Sequence, residues 1–368
     1  MEKKKIIPIL TIIAFFVLVC SVSPMPKTQY KTETIGNNAN LPTVAIITTG
    51  GTIAEKTGAS GAVPSVSGQA LVDAVPGLLD IANIKVVQFS NIDSSQMTPE
   101  IWYKLSETVS AILQDSKIAG AIITHGTDTI AEGAYFLDLT VTSNKPVIFV
   151  GAMRDASDLS PDGPANIYNA VLQAVSPNAK NWGTTVTMNQ YIQSARDVRK
   201  TQSTNVQTFQ SGLKGYLGYI EQGKVIRIND RLKRQVIQLP FRMARVDLLQ
   251  TFAGDDGRFI RYAVNSGAEG IVIEGVGAGN VNAKVYEAIE YALAKDIPVI
   301  VTTRVYYGGV WPIYGDKGGG ATLQKAGAIL AGDLTGPKAR ILLMLALPHA
   351  HGNFKELSRY FSNQAKTL

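Results

Sequence analysis

From Pro42 onward, short apolar runs rich in β-branched residues alternate with longer segments of helical periodicity. The apolar runs predict strands over 43–49, 84–90, 119–124, 146–151 and 184–190. The periodic segments predict helices over 68–75, 98–115, 128–139 and 163–175. Because parallel strands need long crossover connections, usually helices, this alternation favours a mainly parallel sheet with helices on both faces. The sequence therefore predicts an α/β fold.

The pattern weakens in one region, which divides the predicted fold into two domains. A larger N-terminal α/β domain is predicted over 42–220, followed by a charge-rich hairpin and linker over 221–244. The α/β pattern resumes at Val246 and predicts a smaller C-terminal α/β domain over 245–368. A chain of 368 residues is long enough for two domains, each with its own core.

The N-terminus has the features of an export signal, predicted over 1–23. Lysines at positions 3–5 precede an apolar stretch of 14 residues, 6–19, which is shorter than the roughly 20 residues of a membrane-spanning helix. Residues 24–41 are polar and without periodicity, and they predict a flexible tether. We therefore expect a periplasmic or secreted protein. Two alternatives stay open: a lipoprotein attached through Cys20, and an uncleaved N-terminal anchor.

Composition argues against several kinds of site. Cys20 is the single cysteine, so we expect neither disulfides, nor a cysteine zinc site, nor a cysteine nucleophile in the mature chain. With three histidines in the chain, a histidine-rich metal site is not expected either. The formal net charge of +6 is spread without basic runs interleaved with aromatic residues, which argues against nucleic-acid binding.

Two threonines follow glycines shortly after predicted strands. Thr52 lies in the segment 48–54 and Thr127 in the segment 124–129, where Asp128 comes next. Loops beyond the carboxyl ends of parallel strands are where ligands bind in open α/β sheets. The pattern therefore predicts hydroxyl nucleophiles in a common cleft, and a hydrolase. The alternative is that these residues are ordinary turn and helix-capping residues.

An alcohol nucleophile needs a base, and Lys200 is the candidate. A lysine can accept a proton if burial or nearby cations lower its pKa. Lys200 would then take the Thr127 proton while Asp128 orients the amine. Spacing along the chain does not bring Lys200 to Thr127, so a solvated surface lysine is the alternative.

Six motifs of the chain, in order, resemble those of bacterial L-asparaginases, and the exported (type II) branch, which includes the glutaminase-asparaginases, is the best fit. They are Thr49-Gly50-Gly51-Thr52-Ile53-Ala54, Asn91-Ile92-Asp93-Ser94-Ser95-Gln96-Met97, His125-Gly126-Thr127-Asp128-Thr129, Gly151-Ala152-Met153-Arg154, Asp162-Gly163-Pro164 and Arg196-Asp197-Val198-Arg199-Lys200-Thr201. The resemblance covers about 43–366. It implies hydrolysis of a side-chain carboxamide to a carboxylate and ammonia.

The resemblance also implies roles for individual catalytic residues. Thr52 matches the primary nucleophile of the family. Thr127, Lys200 and Asp128 match its second threonine, its lysine and its aspartate.

Substrate-binding residues follow from the same motifs. Ser94 matches the serine that binds the substrate α-carboxylate, and Asp128, beside Thr127, matches the residue that holds the α-ammonium group. Ser95 stands where many exported members have glutamine. The backbone of Ala152 matches a group near the substrate amide and the developing oxyanion.

The chain departs from the family pattern at three places. Residues 53–80 contain no tyrosine, although exported members usually carry one in the loop after the first motif. Gly254 stands where a neighbouring subunit usually supplies an asparagine, and 306–311 lacks the glutamate that it usually supplies. These departures leave the substrate preference open.

The expected function is that of an exported, cofactor-free L-asparaginase acting on the small molecule L-asparagine, with L-glutamine as a further expected substrate. The resemblance implies a homotetramer built from intimate dimers. Two alternatives stay open: an amidohydrolase of shifted specificity, such as a glutaminase, and a catalytically silent amino-acid-binding protein.

Overall fold

A computed structural model of the chain describes residues 30–50, 55–58, 61–64, 68–231 and 233–362. The elements below lie in one compact unit, Lys31–Leu368. The predicted nucleophile Thr52 and the predicted export signal lie outside the described residues. No helix in the described part of the chain is long and apolar enough to cross a membrane.

The strands and helices follow one another in two series. The strands are β1 Lys31–Ile35, β2 Thr43–Thr48, β3 Glu55–Gly58, β4 Gly61–Pro64, β5 Asn83–Gln88, β6 Ile118–Thr124, β7 Val147–Val150, β8 Thr184–Met188, β9 Tyr191–Ser194, β10 Arg199–Lys200, β11 Phe209–Gln210, β12 Gly218–Glu221, β13 Lys224–Arg227, β14 Val246–Gln250, β15 Gly270–Gly275, β16 Val299–Thr303 and β17 Ile329–Leu330. The α-helices are α1 Gly68–Asp73, α2 Pro99–Leu113, α3 Ile130–Thr140, α4 Gly163–Val175, α5 Arg258–Asn265, α6 Ala283–Leu293, α7 Gly320–Ala326, α8 Gly336–Ala350 and α9 Phe354–Ser362.

Among the described residues, nine strands form a large sheet in the order β1-β5-β2-β6-β7-β8-β9-β12-β13. The four adjacent pairs of the run β5-β2-β6-β7-β8 are parallel, and the antiparallel pairs lie toward the two edges. Ile46 of β2 is in register with Val86 and Ile122, and all three are buried. Burying each such side chain contributes roughly 1.5–3 kcal/mol, which explains why apolar β-branched runs form the central strands.

Helices cover both faces of this sheet. Residues of α1 and α4 share one hydrophobic core with strands β2, β5 and β6. Helices α2 and α3 pack against each other, α2 also against β6, and α3 against β7 and β8. The predicted α/β fold, with a mainly parallel sheet and helices on both faces, is therefore confirmed.

A second sheet, four-stranded and parallel in the described chain, has the order β14-β15-β16-β17. Helix α8 packs on β14, β15 and β16 and also contacts α3, which belongs to the larger sheet. The contact between α3 and α8 brings the two sheets together. The boundaries predicted at 220 and 245 stay a prediction.

The segment predicted as a tether, 24–41, contains a strand. Strand β1 pairs antiparallel with β5, from Lys31 opposite Gln88 to Ile35 opposite Ile84. Its polar side chains are exposed, as is typical of an edge strand, because backbone pairing rather than side-chain burial holds it in place. The prediction of a tether was therefore wrong for 31–35. The hairpin predicted from 221 is formed by β12 and β13, which pair from Gly218 opposite Arg227 to Glu221 opposite Lys224. Strand β12 also pairs with β9, so the hairpin extends the large sheet.

Candidate functional site

Loops from three neighbouring strands meet at the carboxyl edge of the large sheet. The side chain of Thr49 donates a hydrogen bond of 2.8 Å to the Thr124 carbonyl, and the Ile92 amide donates one of 3.0 Å to the Thr49 carbonyl. Gly50, which follows Thr49, has φ 103°, and a Cβ there would lie 2.4 Å from the Ile92 carbonyl oxygen. The backbone just before the segment that contains Thr52 is therefore tied to the loops after β5 and β6, in a conformation that favours glycine.

Lys200 lies between Thr127 and Asp128. Its Nζ is 3.0 Å from Thr127 Oγ1 and 2.7 Å from Asp128 Oδ1. Thr127 is buried and Asp128 is 60% exposed, while the Lys200 side chain is 20% exposed. The tertiary structure thus brings Lys200 to two residues that lie more than 70 positions away in the sequence, and the alternative of a solvated surface lysine is wrong.

Thr127 and Asp128 lie on the loop between β6 and α3. Helix α3 begins after Thr129, which makes no side-chain capping bond. The Asp128 carboxylate accepts a hydrogen bond from Lys200 and none is found from a described helix amide, so the capping alternative does not hold for Asp128. Lys200 itself lies in β10, where it pairs with Phe209 of β11.

Ser94 joins this group and Ser95 does not. The Ser94 side chain is buried, and its Oγ accepts a 3.3 Å bond from the Asp128 amide. The Thr129 hydroxyl donates a 2.8 Å bond to the Ser94 carbonyl. Ser95 is exposed, and its amide donates to the Asp93 carboxylate at 2.8 Å. The polar groups of Ser94, Thr127, Asp128 and Lys200 therefore lie at one place, with the Asp128 carboxylate at its exposed side.

Ala152 is buried on the loop that follows β7. A Cβ on the preceding Gly151 would lie 2.8 Å from the His125 carbonyl oxygen and 3.2 Å from Thr127 Cγ2. The backbone before Ala152 therefore approaches the Thr127 loop to within a distance that a side chain would prevent.

A buried amide holds this second loop, and the sequence analysis did not single it out. Asn166 Nδ2 donates 3.0 Å bonds to the Gly151 carbonyl and to the Asp162 carboxylate, and Asn166 Oδ1 accepts from the Asn189 amide at 2.9 Å. The Asp162 carboxylate also accepts the Met153 amide at 3.0 Å. The motif at 162–164 pointed to this region, but no spacing rule connects Asn166 to Gly151.

His125 is fully buried beneath the same loop. Burial lowers its pKa to about 4, against the opposing effect of its bond to the Gly126 carbonyl. The Nδ1 atom lies 2.7 Å from that carbonyl oxygen, and the ring packs near Phe149. His125 is therefore neutral near pH 7 and supports the backbone next to Thr127. In the part of the chain that the structure describes, no group of three or more His, Cys, Asp or Glu side chains is placed to hold a metal ion.

Comparisons with known proteins cover nearly the whole chain. The family model described as "Asparaginase, N-terminal" matches residues 43–233, and "Glutaminase/Asparaginase C-terminal domain" matches 245–361. A protein of Haemophilus influenzae named "Probable L-asparaginase periplasmic" is 39% identical over 339 residues, which cover 89% of this chain and 95% of that protein.

A "Glutaminase-asparaginase" of Pseudomonas fluorescens is 33% identical over 89% of this chain and 92% of its own length. Among solved structures, a "Probable Cytoplasmic L-asparaginase" of Campylobacter jejuni superimposes with a TM-score of 0.80 at 39% identity, covering 87% of this chain and 99% of that one. The two family models, these relatives and the shared fold lead to one conclusion: the chain belongs to the asparaginase family of amidohydrolases.

Proposed function

We propose that this protein is an exported L-asparaginase that hydrolyses L-asparagine to L-aspartate and ammonia through a threonine nucleophile. The observation that carries the proposal is the placement of Lys200 Nζ at 3.0 Å from Thr127 Oγ1 and 2.7 Å from Asp128 Oδ1. A hydroxyl beside an amine that a carboxylate orients is the arrangement that hydroxyl activation requires.

In the proposed reaction, Thr52 is the primary nucleophile and attacks the carboxamide carbon. Lys200 takes the Thr52 hydroxyl proton through the Thr127 hydroxyl, and that proton then goes to the leaving nitrogen, which departs as ammonia. Water attacks the resulting ester and releases aspartate with the Thr52 hydroxyl restored. Backbone amides near Ala152 would stabilise the oxyanion, since donors aimed at developing charge are commonly a leading catalytic contribution.

Substrate recognition is assigned to residues that bind the α-ammonium and the α-carboxylate groups of the substrate. The Asp128 carboxylate suits the α-ammonium group, and the Ser94 hydroxyl, with Ser95 beside it, suits the α-carboxylate. Capture of both groups would orient the side-chain amide toward the threonines. Steady-state ammonia release by the purified protein with L-asparagine tests the proposal, and absence of release would overturn it.

A second candidate is an amidohydrolase of shifted specificity, favoured by the absence of tyrosine in 53–80 and of an acidic residue in 306–311. The Pseudomonas fluorescens relative is named for both activities. Comparing kcat/KM for L-asparagine, L-glutamine and D-asparagine separates these candidates. Calorimetry that detects aspartate binding without any turnover would instead support the silent binding protein.

Export is part of the same proposal. We assign residues 1–23 to an export signal and the mature protein to the periplasm or the medium, as the name of the Haemophilus influenzae relative suggests. The Campylobacter jejuni neighbour is titled cytoplasmic, so location is tested directly by fractionating cells and sequencing the mature N-terminus.

A further inference from the structure

Helix α8 of the second sheet carries a buried lysine that contacts the segment leading to Lys200. Lys338 is 2% exposed, and its Nζ donates bonds of 2.8 Å to the Arg196 carbonyl and 2.6 Å to the Val198 carbonyl. The second of these carbonyls is two residues before Lys200. Burying an amine costs free energy that an apolar side chain of similar length would not cost. The hydrogen bonds to these two carbonyls compensate for that cost, so we take them to be the role of the amine.

The same segment has two further attachments to the part of the chain around the second sheet. Arg196 Nη2 lies 2.6 Å from Asp333 Oδ1, and that carboxylate also bonds Lys214 at 2.9 Å. Arg199 donates a 2.6 Å bond to the Tyr306 carbonyl. Although burial raises the pKa of Asp333, its bonds to Arg196 and Lys214 lower that pKa to about 2, so the carboxylate stays charged.

We propose that Lys338 is a positioning residue that fixes the backbone of 196–198 and thereby holds Lys200 Nζ within reach of Thr127 and Asp128. The inference rests on the proposed role of Lys200 as the base. It makes the chemistry at the edge of the large sheet depend on a side chain of the second sheet.

Lys338→Met tests the proposal, because methionine keeps the length of the side chain and removes both donated bonds. A displacement of about 1 Å at a catalytic group can cost on the order of 10²-fold in rate, so we expect kcat to fall by about 10²-fold with KM within about threefold. The matched control is Arg340→Met on the same helix. Arg340 also donates to a backbone carbonyl, that of Val246 at 2.9 Å, but it does not hold 196–198, and its variant should keep kcat within about twofold.

Four results test this inference and separate it from the proposed function. A folded Lys338→Met variant with wild-type kcat overturns the inference. Wild-type activity of Lys200→Met overturns the proposed function, whatever Lys338→Met does. If Lys338→Met fails to fold, Lys338→Gln, which keeps N–H donors on a shorter side chain, should show a kcat below that of the wild type, and a folded Lys338→Gln variant with wild-type kcat overturns the inference. A crystal structure decides independently of activity: Lys338 Nζ beyond hydrogen-bond distance of the 196 and 198 carbonyls would refute the inference.

Discussion

At the scale of single residues, the site depends on the position of the Lys200 amine. Lys200 donates to a buried hydroxyl and to a half-exposed carboxylate, and each of these groups alone has an ordinary structural use. Their combination supports hydroxyl chemistry, because the Lys200 amine lies within one hydrogen bond of both the Thr127 hydroxyl and the Asp128 carboxylate that orients it.

Lys200→Met is expected to lower kcat by about 10³-fold, within the range typical for loss of a positioned general base. KM should change less, since Ser94 and Asp128 are the groups assigned to substrate binding. Ammonia release under saturating L-asparagine measures the effect. Lys224→Met, at an exposed position of β13, is the control and should leave kcat unchanged. Turnover of Lys200→Met within tenfold of wild type would show that Lys200 is not the base.

His125 makes stability depend on pH in a defined window. Burial lowers its pKa to about 4, whereas an unfolded histidine has a pKa of about 6.5. Between these values the unfolded state binds more protons, so the free energy of unfolding falls as pH decreases from about 6.5 to about 4, by roughly 3 kcal/mol. Urea unfolding across this window should show a smaller slope with pH for His125→Gln. His351→Gln, at an exposed position, should keep the wild-type slope, and equal slopes for all three proteins would contradict the assignment.

At the scale of elements, the site is made by loops that leave the same edge of a parallel sheet. Strands β2, β6 and β7 are adjacent, so the loops after them must meet, and hydrogen bonds such as that from Thr49 to the Thr124 carbonyl fix how they meet. Helix α8 adds a contact from outside this sheet through Lys338.

Gly50→Ala tests the loop after β2. The new Cβ would meet the Ile92 carbonyl at 2.4 Å in a left-handed backbone, so we expect a loss of more than about 2 kcal/mol in unfolding free energy and a fall in kcat. Gly254→Ala is the matched control, because Gly254 also has positive φ but no atom within 4 Å of its added Cβ; it should lose about 1 kcal/mol. Equal stability losses in the two variants would mean that the contact with Ile92 does not constrain the loop.

At the scale of the whole molecule, one surface segment suggests contact with further copies of the chain. Tyr307, Trp311, Ile313 and Tyr314 expose between 45% and 66% of their surface within a few residues of each other. Clustered exposed apolar side chains are typical of protein interfaces. This segment follows β16 at the carboxyl edge of the second sheet.

We expect the protein to be a homotetramer in solution, as the family resemblance implies, with this segment in an interface. Light scattering coupled to size exclusion measures the mass, and Trp311→Arg should shift it toward smaller species. Leu159→Arg, which changes an exposed leucine between β7 and α4 of the large sheet, is the control and should leave the mass unchanged. A wild-type protein that elutes as a monomer would contradict the prediction.

Much of the fold could be predicted from sequence, because local pattern and burial agree along the central strands. The run Val44–Ile47 is apolar, with three β-branched residues of four, and the structure buries all of it between helices. Strand β1 could not be predicted in this way, since its polar residues carry no burial pattern and its pairing with β5 is a contact between distant segments. Helices α5, α6 and α7 of the second sheet were not predicted either.

Local sequence patterns predict the strand runs and the threonine-containing loops after them, because these features depend on residues that are neighbours in the chain. Tertiary structure alone decided that Lys200 reaches Thr127 across 73 positions and that Lys338 reaches the Val198 carbonyl across 140. Such contacts have no local signal, since they arise from how sheets and helices pack. The motifs therefore predicted the chemistry of the candidate site, but the packing of α8 and the position of β10 bring its residues together.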